Sequence, residues 1–316
     1  MIKLIKNELF KLFIQKSTWI MFIALFVLLL GNGIIAKIYA DDYLNDYSDD
    51  WKSELQAENK ELKENLKEAG HDNPMAEMYQ EELSENNYYL KHNIKPTNYG
   101  ALQFVYDNRD FLPVVSLLTI IVSAGIVANE FRWGTIKLLL IRPVSRTKIL
   151  FSKYFSTLLF ALGALVFILI GSWLIGAVLF GFDGLNPKTI QLSQNGAEYT
   201  SVLSQITSGY GYKLINLVMM ATFAFMISAV FRNSSLAIGI AIFLMFAGNT
   251  IVAAFSQHSW AKFILFANTD LQQYQTNNVF IEGMTLSFSI SVLIVYYIVF
   301  IALAWIFFTK RDVAGT

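Results

Sequence analysis

The residues best suited to chemistry in this chain are charged groups between positions 130 and 153. This segment holds six Lys or Arg residues against one Glu, and its run 136–141 is apolar apart from Lys137. Basic groups beside a short apolar run are suited to holding a segment at a membrane surface and to docking on a partner. The basic residues are Arg132, Lys137, Arg142, Arg146, Lys148 and Lys153.

Residue patterns for catalysis do not occur in the sequence. The chain has no cysteine, which excludes thiol nucleophiles and thiolate metal sites. It has no HExxH motif, no GxSxG elbow and no P-loop. We therefore expect that the chain is not an enzyme and binds no cofactor or metal.

The composition indicates a membrane protein. Of the 316 residues, 55% are hydrophobic and 15% are charged, whereas soluble domains have about 25% charged residues. Helices are the expected spanning form, because backbone groups in a bilayer must pair internally. The sequence predicts an all-α integral membrane protein with six spans, at residues 17–38, 111–129, 154–180, 212–231, 236–256 and 285–309. The first run is too long for a signal peptide and is predicted to remain as a span.

The distribution of Lys and Arg predicts the orientation. Basic loops stay in the cytoplasm, and all the basic segments fall on one side of six alternating spans. These segments are residues 1–16, 130–153, 232–235 and 310–316. The outer side then carries residues 39–110, 181–211 and 257–284, the first with 17 acidic against 7 basic groups. Both termini are therefore expected in the cytoplasm.

Two helical features are predicted outside the spans. Residues 1–16 place Ile2, Ile5, Leu9, Leu12 and Phe13 at helical spacing, opposite lysines, as in an amphipathic helix on the inner membrane surface. Residues 39–110 contain two apolar stripes that predict an extracellular helical hairpin. The stripes are Trp51, Leu55, Leu62, Leu66 and Ala69, and then Met75, Tyr79, Leu83 and Leu90. The hairpin is either a solvated linker or a sensor or gate.

The polar residues in the middle of the predicted spans are uncharged. No ionisable residue lies at the centre of a span, which disfavours an ion-coupled transporter. Small polar residues such as Ser123, Thr222 and Ser228 are expected to form hydrogen bonds between helices. Asn249 and Thr250 could instead face a substrate pathway.

The segment 130–153 contains the start and stop signals of a short helix between two spans. Gly134 permits a bend, Thr135 is a candidate N-cap, and Pro143 ends the helix. Ile136, Leu139 and Leu140 would form an apolar face that packs on a partner. Ser145 would cap the third span. The alternative is an ordinary basic loop that only fixes topology.

This segment resembles the signature of ABC-2-type permeases, the membrane subunits of one class of ATP-binding-cassette exporters. The family pattern joins a Glu, a Gly-Thr pair, two leucines, a Pro, an Arg and a Lys. The matching residues are Glu130, Gly134, Thr135, Leu139, Leu140, Pro143, Arg146 and Lys153.

The resemblance implies a permease subunit of a bacterial cell-membrane exporter for an antimicrobial peptide, drug or lipid-like substrate, with a link to antibiotic resistance. Residues 130–146, including Arg142, would be a cytoplasmic coupling helix. Its expected partners are a P-loop ATPase subunit that binds ATP and Mg, a second permease subunit that is identical or a sister chain, and the lipid bilayer. No nucleic acid is expected.

Two other functions remain open from the sequence. A non-transporting sensor or immunity protein would use the acidic hairpin to bind an extracellular ligand. A secondary transporter is disfavoured by the uncharged span centres.

Overall fold

Six helices in the computed structural model are long and apolar enough to cross a membrane. The structure describes residues 1–39, 47–69, 74–141, 143–182, 184, 187–193, 196–275 and 279–311. The six candidate spans are Lys16–Ile38, Ala101–Arg132, Arg146–Leu179, Val202–Phe231, Ser234–Phe255 and Leu286–Lys310. The predicted class, an all-α multi-pass membrane protein, is confirmed at this level.

The elements are numbered here in chain order. The helices are α1 (Ile2–Ile14), α2 (Lys16–Ile38), α3 (Trp51–Ala69), α4 (Pro74–His92), α5 (Ala101–Asp107), α6 (Leu112–Arg132), α7 (Ile136–Leu140), α8 (Arg146–Leu179), α9 (Val202–Phe231), α10 (Ser234–Phe255), α11 (Leu265–Thr269) and α12 (Leu286–Lys310). Two strands, β1 (Lys188–Ser193) and β2 (Gly196–Ser201), lie between α8 and α9. Short 3-10 turns cover Asn108–Phe111, Ala261–Phe263 and Leu271–Tyr274.

Two spanning helices begin earlier than the uncharged runs predicted. Helix α8 begins at Arg146 rather than 154, and Ser145 caps it by accepting a hydrogen bond from the Lys148 amide. Helix α9 begins at Val202 rather than 212. A helix needs only backbone pairing, so it continues through polar residues beyond the apolar run. Charged groups therefore lie inside these two helices.

The predicted outer loop 181–211 contains a β-hairpin, a departure from the purely helical prediction. Strands β1 and β2 pair antiparallel with Ile190 opposite Tyr199. The helical hairpin of α3 and α4 packs against it, and Trp51, Leu55, Tyr89 and Ile190 form one buried cluster. We call the side of the molecule that carries both hairpins the hairpin end.

Part of the predicted stripe of α4 is buried, since Leu83 is buried and Leu90 packs on the cluster with the β-hairpin. Met75 is exposed, whereas Ala76, Leu83 and Tyr89 are buried. The Tyr89 ring stands edge-on to Tyr199, with centroids 6.5 Å apart. The prediction took account only of packing between α3 and α4, whereas α4 also packs on the β-hairpin.

Helix α9 lies at the centre of the bundle, against α6, α8, α10 and α12. Ser123 Oγ donates a hydrogen bond to the Ala221 carbonyl at 2.5 Å. Ser228 Oγ donates to the Ala124 carbonyl at 2.6 Å and accepts from the Ala128 amide at 3.1 Å. These bonds agree with the predicted role of small polar residues.

A close backbone approach at Gly176 is expected to limit stability. A Cβ atom there would lie 3.0 Å from Ala101 Cα and 3.1 Å from the Ala101 carbonyl oxygen, whereas a Cβ on Gly163, also in α8, would meet nothing within 4 Å. Gly176→Ala should lower the free energy of unfolding by about 1–3 kcal/mol through overpacking. Thermal unfolding in detergent measures this, with Gly163→Ala as the matched control. Equal midpoints for the two variants would contradict the assigned packing of α8 on α5.

The helical hairpin should be more stable at acidic pH. Burial raises the pKa of Glu82 to about 7, helped by a hydrogen bond and repulsion from Glu58. Burial, with repulsion from Glu81 and Glu82, raises the pKa of Glu85 to about 7. A carboxyl group with a raised folded-state pKa stabilises the fold below its unfolded value of about 4.5, and this contribution disappears as pH rises towards about 7.

Hydrogen exchange of residues 51–69 and 74–92, corrected for intrinsic rates, should therefore show stronger protection at about pH 5 than at about pH 8. The Glu82→Gln/Glu85→Gln variant keeps the side-chain shapes without the ionisation and should lose this difference. Equal wild-type protection at both pH values would refute the prediction.

Candidate functional site

Four charged side chains form a closed cluster at the end of the bundle opposite the hairpins, which we call the basic end. Lys153 Nζ lies 2.7 Å from Glu8 Oε2 and 2.8 Å from Glu130 Oε1. Lys11 Nζ lies 3.0 Å from Glu8 Oε1 and 3.1 Å from Glu130 Oε1. Each carboxylate thus contacts both ammonium groups, and the four formal charges cancel.

The cluster is largely removed from solvent. The side chains of Lys153 and Glu8 are 1% and 7% exposed, and that of Glu130 is 12% exposed. Lys11 is at the rim, where burial lowers its pKa but the Glu8 and Glu130 carboxylates raise it further, so the net shift is upward. Isolated buried charges are strongly unfavourable, so each member depends on its partners.

Helix α1 turns Glu8 and Lys11 towards the bundle, while Lys3 and Lys6 are exposed. Glu8 and Lys11 are three residues apart and share one face of α1, which packs against α8. Phe10, Phe13 and Ile14 are exposed on the outside. A helix is present where the sequence predicted one, but Lys11 and Glu8 face protein because Lys153 and Glu130 supply their partners.

The turn after α6 is built around Glu130. Gly134 has φ +71, a left-handed conformation that favours glycine, and provides the predicted bend. Thr135 occupies the N-cap position of α7, but its side chain does not cap that helix. Its hydroxyl donates to Glu130 Oε2, a charge-assisted hydrogen bond that ties the turn to the end of α6.

The short helix α7 exposes different apolar residues from those predicted. Ile136 is 2% exposed and packs in a cluster with Ile149 and Phe308, and Leu139 packs against the same cluster. Ile136 and Leu139 therefore face the bundle and not a partner. Leu138 and Ile141 are 66% and 80% exposed. The side chain of Leu140 and all of Arg142 lie outside the described residues.

Trp133, Leu138 and Ile141 together make what we call the exposed apolar face of the turn. Trp133, just before Gly134, is 62% exposed. Lys137 and Arg132 are also exposed nearby. Pro143, two residues after Ile141, is exposed and follows the end of α7, as the sequence predicted.

Arg146 ties the start of α8 to the end of α12. Its Nη1 donates to the carbonyl oxygens of Thr309 at 3.0 Å and Arg311 at 3.4 Å. The next residue, Thr147, accepts a hydrogen bond from Trp305 Nε1 at 3.0 Å. Arg146 thus joins two spans by hydrogen bonds and is not a free docking group.

The structure does not join Asn249 and Thr250 to the cluster. Both are exposed on α10. Asn249 lines a separate cavity towards the hairpin end, and Thr250 is not part of its lining.

Glu8 and the inward orientation of Lys11 are the site features that sequence reasoning missed. Glu8 is the only acidic residue among the first 16, and this isolation within a basic segment is the signal that could have pointed to it. Lys153 belongs to the family pattern, but its burial could not be predicted. It is buried because α8 begins at Arg146, so that Lys153 lies inside the helix.

The fold and this site define a multi-pass membrane protein whose N-terminal helix, α6 and α8 meet at one buried charge cluster. The chain belongs to the family described as "Protein of unknown function (DUF2705)", whose model matches residues 75–314. It is 43% identical over 319 residues to "Uncharacterized protein YhcI" of Bacillus subtilis (strain 168), covering the full length of both. "Uncharacterized membrane protein YdbK" of the same organism is 35% identical over 203 residues, 63% of this chain and 78% of that protein.

Lys153 should be required for stability. Lys153→Met keeps an unbranched side chain but leaves Glu8 and Glu130 with one cation between them, which should cost about 3–5 kcal/mol of unfolding free energy. Adding Glu8→Gln restores charge balance and should recover part of the loss. Thermal unfolding in detergent measures both, and Lys148→Met, an exposed position on the same helix, is the control. Identical midpoints for Lys153→Met and Lys148→Met would show that the cluster contributes nothing.

Proposed function

We propose that this chain is the permease subunit of an ATP-binding-cassette exporter in the bacterial cell membrane. The observation that carries the proposal is the exposed apolar face on a short helix fixed between two spans. Leu138 and Ile141 extend from α7, while Ile136 anchors that helix in the bundle. Such a face is suited to a groove on a partner protein.

The ion-pair cluster would convert movement of α7 into movement of the spans. Glu130 lies in the last turn of α6, Thr135 connects it to α7, and Lys153 belongs to α8. A shift of the turn is therefore transmitted to both helices and, through Glu8, to α1. Arg146 extends the linkage to α12. Packed elements of this kind move as bodies rather than deform continuously.

The partner is a separate ATPase subunit with a P-loop, which would hold ATP and Mg. This chain would contribute no catalytic group to hydrolysis and no cofactor site. The charges around the turn, Lys137 and Arg132, favour a groove with an apolar floor and an acidic rim. Helix α7 and both chain termini would then be cytoplasmic, in agreement with the basic residues at one end.

A second permease subunit, identical or a sister chain, would complete the pathway. Helices α2, α10 and α12 bury only 17–22% of their most apolar windows inside the chain. That leaves surface for the lipid bilayer and for another subunit. The substrate class proposed is an antimicrobial peptide, a drug or a lipid-like molecule.

A sensor or immunity role is the second candidate, favoured by the docking of the helical hairpin on the β-hairpin. Strand β2 leads directly into α9, the central helix, so a ligand on the hairpins would act on the bundle. Replacing residues 47–92 with a short linker distinguishes the two. A sensor loses its response, whereas a permease keeps ATP-dependent transport.

Leu138→Asp should uncouple the ATPase while the chain still inserts and folds, because the side chain is exposed in the isolated subunit. We expect loss of co-purification with the P-loop ATPase and at least about a tenfold fall in substrate-stimulated hydrolysis, as for truncation of an interface hot spot. Leu138→Met preserves the apolar surface and should behave as wild type. Normal coupling in Leu138→Asp would refute the docking role of α7.

A further inference from the structure

A cavity of about 150 Å³ lies between α6, α8, α9 and α10 on the side towards the hairpins. Phe266, Thr269 and Asp270 form one wall of it, and Phe266 packs so tightly on α10 that a Cβ on Gly248 would lie 2.4 Å from its ring. The lining residues that matter for its chemistry are Lys213, Asn249, Phe266 and Asp270.

The chemistry of the lining is amphipathic. One cation, Lys213, and one anion, Asp270, contribute to it, together with the amide of Asn249. No ion pair within 4.0 Å joins Lys213 to an acidic group among the residues that the structure describes. The rest of the wall is mostly leucine, methionine and phenylalanine.

The depth of the cavity matches a membrane interface. Lys213 precedes the end of α9 at Phe231 by 18 residues, about 27 Å along a helix at 1.5 Å per residue. A bilayer hydrocarbon core is about 30 Å thick. Lys213, which is half-buried, therefore lies near the head-group level on the hairpin side, where its ammonium group would meet a polar head.

We propose that this cavity binds the head group of a zwitterionic phospholipid, a phosphoethanolamine head, with its phosphate on Lys213 and its ammonium on Asp270. The volume is below the roughly 300–1,000 Å³ of a whole-ligand pocket, so the acyl chains remain in the bilayer. Asp270 disfavours purely anionic heads. That the site belongs to a transport pathway rests on the proposed function, but the binding is a property of this chain alone.

Native mass spectrometry of the full chain in detergent tests the site with defined lipids. Phosphatidylethanolamine should be retained more strongly than phosphatidylglycerol. Lys213→Gln should weaken phosphatidylethanolamine retention about tenfold, the loss expected for one charge-assisted hydrogen bond. Lys262→Gln, a lysine of the neighbouring 3-10 turn outside the cavity lining, is the matched control and should retain the lipid.

Asp270→Asn tests the second half of the site. An Asn side-chain oxygen can still accept the Gln272 amide bond that Asp270 now accepts at 3.2 Å, so the local turn is preserved. This variant should abolish the preference for phosphatidylethanolamine over phosphatidylglycerol. Free phosphoethanolamine at equal concentration should not displace the lipid, and displacement would assign the site to a soluble zwitterion instead.

Equal lipid retention by wild type and Lys213→Gln, or an equal loss in Lys262→Gln, would overturn the proposal. The experiment contains no ATPase, so its outcome is independent of the Leu138→Asp coupling test. Each of the two proposals therefore fails separately.

Discussion

The arrangement of the basic end depends on keeping two carboxylates and two ammonium groups together away from water. Lys153 lies two helical turns inside α8 and is 1% exposed, so it must have anionic partners within contact distance. Glu8 and Glu130 are those partners, and they come from α1 and from the end of α6. This requirement fixes how three separate segments of the chain meet.

Fixing three segments by charge has a different consequence from fixing them by apolar packing. Apolar contacts tolerate sliding, whereas a buried ion pair has a narrow range of distances and directions. The position of the turn after α6 is fixed in the same way, because Thr135 bonds to Glu130 and Gly134 provides the bend. A short helix of five residues is thereby held in one position, although it is too short to be stable alone.

The sequence was sufficient for the spans, because length and lack of charge identify a helix in a bilayer almost independently of tertiary contacts. It was also sufficient to predict the bend at Gly134 and the helix cap at Ser145, because both depend on local backbone geometry. The sequence was insufficient where packing against other helices of the same chain decides which way a side chain points. Ile136 and Glu8 both have two available environments, and only the packing of α8 and α12 selects one. The β-hairpin was missed because its strands are short and lie among polar residues.

Ser228 of α9 forms two hydrogen bonds with the backbone of α6. Its hydroxyl bridges the Ala128 amide and the Ala124 carbonyl, two groups that pair with each other in a regular helix. One hydroxyl thus accepts from the amide and donates to the carbonyl of the same helical pair on α6, which satisfies both polar atoms of Ser228 in the apolar interior. The bridge lies less than one turn before Glu130. The last two turns of α6, which carry Glu130, are therefore hydrogen-bonded to the central helix α9 as well as to one another, so the end of α6 cannot shift without disturbing α9.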